Sequence, residues 1–102
     1  MAEIFSKRRD AISALCRKYG VVRLYIFGSA VREDFELGQS DVDLLVDFGS
    51  MDPFQLVDAY FGLLEELRLL FGTEVDLVMS DAIKNRYIIE EIERTKQVLY
   101  AA

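Results

Sequence analysis

Hydrophobic periodicity changes along these 102 residues in the order helix, strand, strand, helix, strand, helix. That order predicts an α/β (α+β) fold, a two-layer domain with about four helices packed on a small mixed β-sheet. Three observations carry the prediction. Residues 4–19 and 53–71 repeat apolar side chains at helical spacing. Residues 21–27, 41–48 and 74–79 are short apolar runs of strand length. Gly20, Gly38 and Gly72 fall between these segments, where turns and helix ends need them.

Taken in order, the first helix covers 4–19, with Ile4, Ile12, Leu15 and Tyr19 along one side and Gly20 at its C-terminal end. Lys7, Arg8, Arg9, Arg17 and Lys18 give it a basic, solvated face. The first strand, 21–27, is apolar enough to suggest burial on both faces. It stops at Gly28-Ser29, where a short helical turn runs through Arg32, and residues 36–40 form a loop. The second strand spans 41–48, with Asp47 expected at the surface. Asp52, Pro53 and Gln55 form the N-terminal signature of a helix over 53–71. Phe54, Val57, Phe61, Leu64, Leu67 and Phe71 lie along one side of it. Leu56, Tyr60, Leu63 and Leu70 widen that stripe, so it reads as a well-buried helix or as one with a protein-binding face. The third strand is 74–79. Ser80 or Asp81 is expected to cap a last helix to about Arg94, with Ile83, Tyr87, Ile88 and Ile92 inward. Residues 98–100 form a terminal strand or an extension.

A chain of this length is expected to be one domain, 1–102. Its net charge of −6 argues against direct nucleic-acid binding, which would need a basic face. With no histidine, it has neither His-ligated metal sites nor Ser-His chemistry. Its single cysteine, Cys16, can form no internal disulfide and sits at a core position of the first helix. No apolar run approaches membrane-spanning length and no secretory leader is recognisable, so a cytoplasmic protein with no membrane partner is expected.

Chemistry concentrates in residues 24–48. Asp41 and Asp43 open an apolar strand at i and i+2, which places both carboxylates on one face, with backbones about 7 Å apart. Two such carboxylates repel unless a cation lies between them, and hard oxygen ligands suit Mg²⁺, which recruits phosphates. Gly28 allows close backbone approach to a phosphate, and Ser29 adds a hydroxyl. Asp76 is a third acid inside an apolar run, where a lone carboxylate would be costly without a partner. Phosphate and metal grips on neighbouring strands describe a site for a metal-bound nucleoside triphosphate. Asp41, Asp43 and Asp76 are therefore the candidate catalytic and metal-ligating residues, and Gly28 and Ser29 the candidate nucleotide-binding residues. Arg32 could contact a phosphate or equally pair with Glu33, Asp34 or Glu36.

At these residues the chain resembles the minimal nucleotidyltransferases (MNT) of the DNA polymerase beta superfamily. Their pattern is Gly-Ser, about ten residues, Asp-x-Asp, and a later Asp on a third strand. Gly28, Ser29, Asp41, Asp43 and Asp76 match it, and Arg32 matches an Arg common three residues after the Ser, a resemblance that makes it a third nucleotide-binding candidate. The spacer has eleven residues, and Glu33 stands where many members have Gly. The resemblance covers essentially the whole chain. It implies an MntA-like antitoxin that uses one or two Mg²⁺ ions and ATP to transfer AMP to a hydroxyl, a tyrosine, of a HEPN-domain ribonuclease toxin, within a hetero-oligomer. Two alternatives remain open at this point. One is a non-catalytic antitoxin that neutralises such a toxin by binding. The other is a nucleotidyltransferase acting on a small molecule.

Overall fold

The computed structural model describes residues 3–31 and 41–102. Arg32 and the expected loop at 36–40 lie outside the described residues. Helices α1 (Glu3–Lys7) and α2 (Arg9–Tyr19) lead into strand β1 (Arg23–Phe27), a 3₁₀ turn (Gly28–Val31) and strand β2 (Val42–Asp47). Helix α3 (Pro53–Phe71), strand β3 (Val75–Met79), a 3₁₀ turn (Ser80–Ala82), helix α4 (Arg86–Thr95) and strand β4 (Gln97–Ala101) complete the chain.

The four strands lie in the order β3-β2-β1-β4. β2 runs parallel to β3 and antiparallel to β1, and β4 pairs antiparallel with β1, so the sheet is mixed. Strand alternation sorts side chains between two faces. Leu24, Ile26, Val42, Leu44, Val46, Val75 and Leu77 point into one core with Ile12 and Cys16 of α2 and Leu63, Leu67 and Phe71 of α3. The opposite parity, Tyr25 and Phe27 on β1 with Asp43 and Asp47 on β2, is only half-buried. Burial of β1 on both faces is thus not what the structure has. One face carries the core, and α4 covers part of the other through buried Ile92.

Helix ends follow local chemistry. Gly20 and Gly72 end α2 and α3 in the left-handed conformation, with φ of 73° and 67°. The Asp52 carboxylate accepts from the backbone N–H groups of Phe54 and Gln55, and Pro53 takes the first helical position. The expected helix over 4–19 is broken at Arg8, whose Nε donates to the Leu70 carbonyl at 3.3 Å. The break sets α1 so that the Phe5 ring meets Phe71 edge-on, 5.4 Å between centroids. α4 starts later than expected. Ser80–Ala82 is a 3₁₀ turn, and the Asn85 side chain caps the helix by accepting from Tyr87 and Ile88 N–H. That register turns Tyr87 and Ile88 outward rather than into the core. The front half of the α3 stripe is outward too: Phe54, Val57 and Phe61 are 84%, 55% and 62% exposed.

α2 and α3 approach closely at Gly62, where a Cβ would stand 2.5 Å from a Tyr19 ring carbon. Tyr19 donates to the Glu66 carboxylate, and Lys18 Nζ lies 3.0 Å from the same group. Two of the five cations on the first helices, Arg8 and Lys18, therefore tie helices together. Among the described residues, no helix is long and apolar enough to cross a membrane.

Cys16 is fully buried, and loss of solvent pushes its thiol up to about 12 from 9.0. The folded thiol keeps its proton at pH values where the unfolded one loses it. Stability is therefore unaffected by this group below pH 9 and declines from 9 towards 12. A maleimide added at pH 8 is expected to label the protein only with denaturant present, as read by intact mass.

Candidate active site

Ladder register builds the site from three strands. Phe27, the last residue of β1, pairs with Asp43 on β2, and Asp43 pairs with Asp76 on β3. Paired positions on adjacent strands lie about 5 Å apart, so Asp43 and Asp76 stand side by side. Asp41 precedes β2 on the same side as Asp43. The C-terminal end of β1 and the N-terminal ends of β2 and β3 therefore meet at one end of the sheet, on the face away from the main core. The three acids that sequence spacing suggests are brought together there, and Gly28 with them.

Gly28 makes the closest approach. It has φ +64°, and a Cβ at that position would stand 2.7 Å from Asp43 Oδ2. Sequence reasoning gives the glycine to a phosphate, but its missing side chain first makes room for the Asp43 carboxylate. Nothing local could reveal this, because it depends on the register of β1 against β2. Ser29 follows in the same 3₁₀ turn, which packs against α4 as well as β1 and β2. Asp47 lies at the other end of β2, where its Oδ1 accepts from Gly49 N–H at 2.8 Å. It borders a half-open cavity of about 180 Å³ beneath α4, lined also by Tyr25, Leu45 and Ile89. None of the three candidate acids borders that cavity.

Asp43 is half-buried, while Asp41 and Asp76 are exposed. Burial first, then the neighbouring charges of Asp76 and Asp41, hold the Asp43 carboxyl above the usual carboxylate range. Among the described residues, no group of three or more carboxylates or thiols is arranged to hold a metal ion by itself. The acids are close enough to repel but do not form a closed cage. That donor set fits Mg²⁺, a hard cation that keeps several waters and completes its shell with substrate phosphate oxygens.

Crowding of like charge sets a stability effect of definite sign. The folded Asp43 holds its proton more tightly than the unfolded one, so its contribution is favourable at low pH and lost as pH rises through the carboxylate range. Asp43→Asn is expected to raise the metal-free melting temperature at pH 7, by about 1 kcal/mol or roughly 4–8 °C. The gain should shrink at pH 4, and Mg²⁺ should stabilise the wild type more than the variant. Gly28→Ala is expected to lower stability at both pH values, because its Cβ displaces the Asp43 carboxylate.

Comparison with known proteins identifies the family. The family model of the nucleotidyltransferase domain matches residues 8–99. A Methanocaldococcus jannaschii chain, provisionally named a protein adenylyltransferase, is 38% identical over 93 residues, 91% of each chain. A second chain of that organism, similarly named, is 34% identical over the same share. Among solved structures, one described as a minimal nucleotidyltransferase is 30% identical, with a TM-score of 0.73 over 90% of this chain and 89% of that one. Two toxin–antitoxin structures share the fold at lower identity. One, solved with AMP-PNP, is 21% identical, with a TM-score of 0.68 over 92% of this chain and 73% of that one. The other is a complex of tri-AMPylated Shewanella oneidensis HEPN toxin with MNT antitoxin, 19% identical, with a TM-score of 0.64 over 96% of this chain and 73% of that one. With the domain model matched over residues 8–99 and a relative 38% identical over 91% of each chain, the chain belongs to the nucleotidyltransferase domain family, in its minimal form.

Proposed function

We propose that this nucleotidyltransferase transfers AMP from Mg-ATP to a tyrosine hydroxyl of a HEPN-domain toxin, and so acts as its antitoxin. The observation that carries the reading is Asp43, held beside Asp76 on one ladder and against Gly28 at the neighbouring strand end. The named relatives and the toxin–antitoxin structures support the choice of nucleotide and partner. A cytoplasmic, single-domain protein working within a hetero-oligomer is part of the same proposal.

Asp41, Asp43 and Asp76 would hold one or two Mg²⁺ ions. Bound there, Mg²⁺ would supply charge neutralisation for the triphosphate. The chain's own work is positioning. The Gly28–Ser29 turn offers backbone N–H groups to the β and γ phosphates, and Arg32 would add a cation. The acceptor oxygen attacks the α-phosphorus and forms a P–O bond. The bond from the α-phosphorus to the bridging oxygen breaks, and pyrophosphate leaves with that electron pair. The hydroxyl proton passes to a site carboxylate: Asp76, exposed beside Asp43 on the ladder, would take it or help hold the metal that lowers the hydroxyl's pKa.

The test is intact mass after incubating the chain with Mg²⁺, ATP and the HEPN-domain protein encoded beside it. The partner is expected to gain one or more AMP units. Asp41→Asn should lower the rate by on the order of 10²-fold or more, as loss of an electrostatic catalytic group does. A stable complex with no mass gain would overturn the transfer reading.

A further inference from the structure

Asp76 sits on β3, the strand at one edge of the sheet. Among the described residues, β3 pairs only with β2, in a parallel ladder. Parallel pairing is slightly weaker per residue than antiparallel pairing. The ladder partner of Asp76 is Asp43, a carboxylate of like charge. An edge strand paired on one side and carrying a repelling charge needs something else to keep it in place.

α3 supplies two tethers, one on each side of Asp76 in the chain. Arg68 Nε lies 3.3 Å from Glu74 Oε1, two residues before it. Solvent reaches both of those side chains, so that ion pair contributes little. The Tyr60 hydroxyl donates to the Leu77 carbonyl at 2.6 Å, one residue after Asp76. The Glu74 carbonyl accepts from Val42 N–H, so backbone alternation turns the Asp76 carbonyl towards β2 and the Leu77 carbonyl towards the outer edge. Tyr60 thus holds β3 from the side opposite β2. Its ring is half-buried against the core and meets the Phe61 ring edge-on, 5.1 Å between centroids, which fixes the direction of the hydroxyl.

We propose that Tyr60 is a positioning residue for Asp76: its hydrogen bond to the Leu77 carbonyl sets where the Asp76 carboxylate stands relative to Asp43 and the metal they would share. This rests on the reading of the three acids as a Mg²⁺ site. α3 packs on the core face of the sheet, so Tyr60 acts through the backbone of β3 and not by contact with the reacting atoms. The lever is short. A strand rises ~3.3 Å per residue, so a shift of the Leu77 peptide passes to Asp76 almost undiminished. Mg²⁺ demands near-ideal octahedral geometry, which makes a site of open carboxylates sensitive to such a shift.

The experiment is a double-mutant cycle on the full chain, with Tyr60→Phe, Asp76→Asn and the two combined. Tyr60→Phe keeps the ring and removes only the hydroxyl. Each variant is first checked by thermal melt. The probe is Mn²⁺, which takes the same hard oxygen ligands as Mg²⁺, titrated without nucleotide and read by water proton relaxation. Tyr60→Phe alone is expected to weaken Mn²⁺ binding about threefold to tenfold, at or below the low end for contacts that orient a metal ligand. Added to Asp76→Asn, it should change Mn²⁺ affinity by no more than about twofold, the scatter of independent sites. In the transfer assay Tyr60→Phe should lower kcat with KM for ATP near that of the wild type. Unchanged Mn²⁺ affinity in Tyr60→Phe, or an equal loss with and without Asp76→Asn, overturns the proposal and leaves Tyr60 a stabilising contact. A wild-type chain that binds no Mn²⁺ overturns it too. If the wild type binds Mn²⁺ but transfers nothing, the transfer reading fails, and the cycle still decides the role of Tyr60.

Discussion

Everything at the site depends on the register of β2, a strand paired on both sides, with β1 and with β3. Val42, Leu44 and Val46 alternate into the core and fix which way its other residues point. A slip by one residue would bury Asp43 and expose three core side chains together. The hydrophobic face of β2 therefore enforces the placement of the acids on its other face. The same register sets Phe27 across from Asp43 on one side and Asp76 across on the other. Three carboxylates that repel one another stay together because parting them would mean unzipping the sheet.

That arrangement is an unfavourable local contact sustained by favourable distant ones. Burial and two neighbouring charges raise the proton affinity of Asp43. The opposing stability resides in the layer behind the sheet. α2 and α3 close on each other at Gly62, and Tyr19 and Lys18 converge on Glu66 across the contact. Phe5 and Phe71 close the end of the core. These contacts lie on the face of the sheet away from the acids. Such a division is typical of proteins whose active sites sacrifice stability for chemistry.

The two faces of the sheet also divide the protein's uses. One face is occupied by α1, α2 and α3 and builds the core. The other holds the acids at one end and α4 across part of the remainder.

The strands, the capped α3 helix and the identity of the acids were legible in the sequence, because each rests on short-range rules. Asp52-Pro53 is a local cap, Gly20 and Gly72 are local stops, and Asp41-x-Asp43 defines a face by strand parity. The start of α4 was not. Asn85 competes for the cap with Ser80 and Asp81, and which wins depends on how far the 3₁₀ turn carries the chain past β3. Exposure of Tyr87, Ile88, Phe54 and Phe61 was equally hidden, since an apolar residue at helical spacing looks the same whether it meets a core or water. The break at Arg8 requires Leu70, and the close approach of Gly28 to Asp43 requires β1 beside β2. Sequence alone determined which acids share a strand face, because parity and charge are properties of neighbours in the chain. Only the tertiary structure decided which of them touch, because contact between strands is set by the packing of side chains far apart in sequence.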